Sequence, residues 1–250
     1  MPLLCDLIDL PVHPLISIVG AGGKTTTMYA LASELAQRGS RVITTTTTQI
    51  FFPEPGQTDM LIVAADTPTL LKMISAAWQQ HRHVTVAGAV IRADKLAGLQ
   101  PGQPYELLMQ SGASAVIVEA DGARHRMIKA PAEHEPVIPT HTNIALLMMS
   151  AGAINQPLSA EVAHRPERIA SVLDMNLGEM LTPTRIACLV ASEQGALKHI
   201  PKEATTYLLI THTSSTSQDA LKELVSLVRR SARVAGVLCA EKPGEWFANA

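Results

Sequence analysis

The residues with the clearest chemical potential are Gly20-Ala21-Gly22-Gly23-Lys24-Thr25-Thr26, which follow the apolar run 15–19 and precede a helix-patterned stretch. Glycines between a strand and a helix allow a tight turn whose N–H groups converge on an anion. The helix N-terminus adds its positive end at the same point. In such a loop Lys24 reaches the β- and γ-phosphates of a nucleotide, and the Thr25 hydroxyl coordinates Mg²⁺. The loop is one glycine short of the full eight-residue phosphate-loop pattern, with Ile18 at its first position. A phosphate loop needs a carboxylate at the end of a neighbouring strand. The run 115–118 leads into Glu119, Asp121 and Gly122. Either carboxylate serves as the metal ligand and the other orients water, while the Gly122 N–H approaches a γ-phosphate. Lys24, Glu119 and Asp121 are thus the expected catalytic set. Thr25, Glu119 and Asp121 are the expected metal set.

Two further segments fall near this point. Thr45, Thr46 and Thr47 end the second strand and offer short hydroxyls; Thr46 is the expected contact to the γ-phosphate. Beyond Gly122 come Arg124, His125, Arg126 and Lys129, then Glu133, His134 and Glu135. A basic cluster there neutralises transition-state charge or grips an anionic second substrate, with Lys129 a nucleotide contact. The chemistry these residues suit is in-line attack of water on a γ-phosphate.

The elements that position them alternate. Strand-like runs fall at 15–19, 41–45, 61–65, 84–86, 115–119, 144–149, 207–210 and 234–238. Helical patterns fall at 25–38, 68–80, 104–110, 166–174 and 218–232. Strands apolar on both faces and separated by helices predict a mostly parallel sheet covered on both sides. The expected fold is a three-layer α/β, P-loop NTPase-like domain over residues 1–250, with a C-terminal subregion from about 150 as the alternative division. Residues 122–139, rich in Pro, His and charge, predict a long functional loop.

The composition narrows the functional classes. Twenty basic against 22 acidic residues give a net charge of −2, without the basic bias of a nucleic-acid binder. Aromatic residues make up 3%, so the core rests on aliphatic side chains. Cys5, Cys188 and Cys239 have no CxxC spacing and read as reduced, mostly buried thiols of a cytoplasmic protein. The N-terminus carries Asp6 and Asp9 without a basic start and does not read as a signal peptide. No apolar run reaches the length of a membrane span.

GAGGKTT, the threonine run after the second strand, VEADGARHRMIKAPAEHEPVIP and HRPERIASVL together resemble the YqeC family of P-loop proteins. That family is associated with selenium-dependent molybdenum hydroxylases and selenium cofactor biosynthesis. The resemblance covers nearly the whole chain. It implies a nucleotide at Gly20, Gly22, Gly23, Lys24 and Thr25. It places Glu119, Asp121, Gly122, Lys129, Glu133 and Glu135 in one signature segment, and His164 and Arg165 in a later one. The loop is also similar to the GTxGKTT loop of Mur-type ligases. Many relatives carry an Asn-Lys-x-Asp-like stretch after the strand at 207–210, whereas this chain has Thr211, His212, Thr213 and Ser214. Lacking a carboxylate there to accept guanine's hydrogens, the sequence favours ATP over GTP.

The expected function is therefore a Mg²⁺-dependent NTPase, hydrolysing ATP or GTP, acting as an accessory factor for a molybdenum hydroxylase or its cofactor-maturation proteins. Nucleotide binding would order 44–48 and 122–139. The alternatives are an NTP-dependent ligase or kinase acting on a small molecule or pterin cofactor, and a non-hydrolysing module holding a molybdopterin dinucleotide.

Overall fold

The computed structural model describes residues 2–242 and 245–248. A single helical turn, α1 (Leu4–Leu7), leads into β1 (Leu15–Gly20), α2 (Lys24–Gln37) and β2 (Val42–Thr46). Next come β3 (Gln49–Phe51), β4 (Met60–Val63), α3 (Thr67–Ala77), β5 (His83–Ala87), β6 (Ala89–Arg92) and β7 (Lys95–Ala97). Then follow α4 (Gln103–Gln110), β8 (Ala115–Glu119), β9 (Ile128–Lys129), β10 (Ile144–Ser150) and β11 (Ala163–His164). The chain continues with α5 (Pro166–Leu173), α6 (Pro183–Ala191), β12 (Thr205–Thr211), α7 (Gln218–Val228), β13 (Gly236–Ala240) and β14 (Trp246–Ala248).

Nine strands form one sheet in the order β14-β13-β12-β10-β1-β8-β2-β5-β4. All its pairings are parallel except that of β14 with β13. The period-two alternation of a strand divides its side chains between the faces. In β10, Leu146 and Met148 pack with Met28, Leu31 and Ala32 of α2. Ala145, Leu147 and Met149 pack on the other face with Ile186 and Leu189 of α6 and Leu221 and Leu224 of α7. Further along that second face, Val116 and Val118 of β8 meet Leu70 and Ile74 of α3 and Leu107 of α4. Both faces are covered, as continuous apolar strands require. The result is the expected α/β, P-loop NTPase-like architecture, with a glycine turn joining the central strand β1 to α2.

The strand at 115–119 falls where the sequence pattern puts it, and the others agree to within about two residues at their ends. The helices at 68–80 and 218–232 stop early, at Ala77 and Val228, where turns replace their last residues. The pattern did not show α6, although Thr182 caps it by accepting from the Arg185 N–H and Pro183 opens it. Nor did it show the small antiparallel sheet β3-β7-β6, whose strands are three to four residues long. Residues 122–139 are not a free loop. They contain β9, which pairs with β11, and Ile128–Ala132 are buried. No described helix is long and apolar enough to cross a membrane.

Candidate functional site

Parallel register brings the site together. Ile18 of β1 pairs with Glu119 of β8, and Thr46 of β2 pairs with Glu119 on its other side. The glycine turn and both carboxylates therefore share the C-terminal edge of the sheet, where open α/β folds bind ligands. Gly20 and Gly22 have φ of +98° and +80°. A Cβ on Gly20 would lie 2.3 Å from the Met148 carbonyl oxygen, and one on Gly22 would lie 2.6 Å from the Ser150 nitrogen. The turn can cross the end of β10 only because both positions lack a side chain. The Ala21 N–H donates to the Met148 carbonyl at 2.9 Å, and the Gly22 carbonyl accepts from the Thr211 hydroxyl at 2.7 Å.

Gly23 is the N-cap of α2, and no side chain caps this helix. Its first turn therefore presents N–H groups without intrahelical partners beside the glycines. Lys24 is the first helical residue and is buried. Its Nζ donates to the Gly20 carbonyl at 2.9 Å and lies 3.3 Å from Asp121 Oδ1 and 3.6 Å from Glu119 Oε1. Burial alone would lower the Lys24 pKa. The Asp121 and Glu119 carboxylates outweigh it and raise the pKa above its usual value. Burial raises the Glu119 pKa, against Lys24 and the hydrogen bond from Thr25. The Thr25 hydroxyl donates to Glu119 Oε2 at 2.6 Å, while Thr26 is exposed.

The two carboxylates, interchangeable in the sequence, hold different posts. Glu119 faces Thr25 and Lys24. Asp121 accepts from the Gly20 N–H at 3.1–3.2 Å and sits between Lys24 and Lys129, the latter at 2.9 Å. The chain of charges runs on: Lys129 Nζ lies 2.9 Å from Glu135 Oε2, and Arg165 grips Glu135 with two bonds of 2.6 and 3.1 Å. Burial opposes ionisation of Glu135, but the bonds from Arg165 and Lys129 prevail and lower its pKa to about 2. His164, beside this chain, has its pKa lowered to about 4 by burial and then by its cationic neighbours Arg165 and Lys129.

Two expected nucleotide contacts have other partners. Lys129 donates to the Gly122 carbonyl at 2.7 Å and to Glu135 at 2.9 Å, and is ion-paired with Asp121 at 2.9 Å, so its ammonium has three close partners of its own. The Thr46 hydroxyl donates to the Glu119 carbonyl at 2.7 Å and accepts from the Thr48 N–H at 3.1 Å, which ties β2 to β8 instead of facing the loop. Thr45 and Thr47 likewise donate to the carbonyls of Val86 and Val137. Gly122 borders open space, with nothing within 4 Å of where a Cβ would stand. Arg124, His125 and Arg126 are exposed, and Glu133 points to solvent near Arg168. The grip of Arg165 on Glu135 was not legible from spacing, because 30 residues separate the partners.

The donor set suits Mg²⁺: Thr25 and Glu119 offer adjacent hard oxygens, and an ion that keeps several waters needs few protein ligands. Among the described residues no group of three or more His, Cys, Asp or Glu side chains could hold a metal by itself.

The family model described as YqeC protein matches residues 16–167, and the chain belongs to that family. It is 29% identical over 209 residues to YqeC of Escherichia coli (strain K12), covering 80% of this chain and 76% of that protein. Among solved structures it is similar to FtsY from Mycoplasma mycoides at 13% identity and a TM-score of 0.44, covering 97% of this chain and 67% of the other. It is also similar to FlhF complexed with GTP and Mg²⁺ at 13% identity and a TM-score of 0.45, covering 99% and 77%.

Proposed function

We propose that this chain is, over its full length as one domain, a nucleotide-binding P-loop protein and a Mg²⁺-dependent NTPase. In this reading it serves as an accessory factor in the maturation of a selenium-dependent molybdenum hydroxylase or its cofactor. The observation that carries the nucleotide reading is the cluster at the uncapped start of α2. There a buried Lys24 lies between two carboxylates, and a Thr25 hydroxyl lies on one of them. The maturation role rests on family membership alone.

The turn binds the β- and γ-phosphates through the N–H groups from Gly22 to Thr25, at the uncapped start of α2. Lys24 leaves the Gly20 carbonyl and carries its charge to the bridging and γ-phosphate oxygens, where charge develops during in-line displacement. Thr25 and Glu119 would hold Mg²⁺, which would neutralise phosphate charge. Asp121, held to the loop by the Gly20 N–H, keeps the turn in its binding shape and orients the attacking water.

Calorimetric titration with ATP, GTP and a molybdopterin dinucleotide, each with Mg²⁺, followed by a phosphate-release assay, tests this reading. Binding of a triphosphate with slow, Mg²⁺-dependent phosphate release supports it. Tight binding of the dinucleotide without release contradicts it and leaves a cofactor-holding module.

A further inference from the structure

The sheet edge beyond the glycine turn carries polar groups that the phosphate chemistry does not use. β12 is fastened to the turn by the bond from the Thr211 hydroxyl to the Gly22 carbonyl. After Thr211 the backbone turns sharply: His212 takes a φ of +54°, and Thr213–Ser215 form a single 3₁₀ turn. β13 lies beside β12 in parallel register, with Ile210 opposite Cys239. The His212 N–H donates to the Glu241 carbonyl at 3.2 Å. Glu241 therefore stands directly beside the Thr211–Ser214 segment, although 27 residues separate it from Ser214.

Its carboxylate is held in place. Oε2 accepts from the Ser214 N–H at 2.7 Å and the Thr213 hydroxyl at 3.2 Å, and Oε1 accepts from the Ser214 hydroxyl at 2.6 Å. Bonds from the Ser214 side chain and backbone, then from Thr213, hold its pKa below the usual carboxylate range. A carboxylate offers about four acceptor positions, so one remains open. The Ser214 hydroxyl, exposed and free to rotate, can release another.

An anchored anion of this kind selects ligands with paired N–H donors. Guanine presents its ring N1–H and 2-amino N–H side by side on one edge. Adenine presents a ring nitrogen lone pair at the corresponding place, which a carboxylate repels. Position agrees with chemistry. The turn leaves the end of β1 and rests on β10 and β12, and β13 lies three strands from β1 in the sheet, about 14 Å away. That offset leaves room for a ribose between phosphates in the turn and a base at Glu241.

Resting on the nucleotide reading above, we infer that Glu241 is the specificity-determining residue for the base and that the nucleotide is a guanine nucleotide. The carboxylate missing from Thr211–Ser214 in the sequence is supplied in space by the end of β13.

The test is calorimetric titration of the protein and of Glu241→Gln with GTP, ATP and XTP, each with Mg²⁺. The inference expects the unaltered protein to bind GTP about tenfold or more tighter than ATP. Glu241→Gln should lose that preference and gain XTP affinity, because its amide N–H now meets the xanthine 2-oxo group, with ATP affinity within about threefold of the original. Equal or tighter binding of ATP by the unaltered protein overturns the inference while leaving the phosphate-loop reading intact. So does a Glu241→Gln variant that weakens GTP and ATP alike. Failure of both GTP and ATP to bind the unaltered protein overturns the phosphate-loop reading, and this inference with it.

Discussion

Lys24 and Lys129 are both buried lysines between carboxylates, and they share Asp121. Their settings differ in one respect. Lys129 makes three contacts of 2.7–2.9 Å, to a carbonyl and two carboxylates. Lys24 makes one close bond, to a backbone carbonyl, and stands 3.3 and 3.6 Å from its carboxylates. A saturated ammonium is a strut. One whose single close bond is to a neutral carbonyl, with two looser ion pairs beside an open helix end, can shift to a phosphate, which offers short charge-assisted bonds that the carbonyl does not. The same distinction separates the threonines: Thr25 faces a carboxylate side chain, whereas Thr46 braces a backbone carbonyl of the same residue, Glu119. Lysine or threonine near a phosphate loop is thus informative only once its partners are known.

The largest effect should follow Lys129→Met. It leaves Asp121 and Glu135 buried beside a lost cation, and unfolding in urea should show a loss of about 3–5 kcal/mol. The folded variant should bind nucleotide within about fivefold of the original. A loss of affinity with stability unchanged would make Lys129 a ligand contact and erase the contrast. A smaller effect should come from pH. The folded Glu135 pKa falls from 4.5 to about 2, so its contribution is fully present above pH 4.5 and disappears as pH falls toward 2. With screening discounted it amounts to about 2 kcal/mol. Glu135→Gln should flatten stability against pH in that window, measured by denaturant unfolding at a series of pH values. The smallest effect should follow Thr46→Val, which removes one interstrand bond at a cost of about 1 kcal/mol and leaves nucleotide affinity unchanged. A marked loss of affinity there would restore Thr46 as a phosphate contact.

The legible part of the site was what lies contiguous in the chain. Glycines before Lys24-Thr25 mark a turn into a helix, and carboxylates after a four-residue apolar run mark a strand end, so the loop, Glu119 and Asp121 could be placed from local pattern. The fold class followed from the same alternation of apolar runs and helical stretches. What stayed hidden depends on pairings that the fold decides. Nothing in the spacing joins Glu135 to Arg165 or Ser214 to Glu241. Nor does the type of Lys129 or Thr46 reveal that carbonyls and carboxylates already occupy it. α6 is a different case, since Thr182, Pro183 and the buried Ile186, Leu189 and Val190 carry a capping and spacing signal that can be read.

In the proposed function Lys24 acts as the mobile cation of a phosphate-binding turn. Calorimetric titration of Lys24→Ala beside the unaltered protein, with GTP and ATP in the presence of Mg²⁺, tests it most directly. Affinity should fall by about 100-fold or more in the variant. A Lys24→Ala protein that binds either nucleotide as tightly as the original would contradict it.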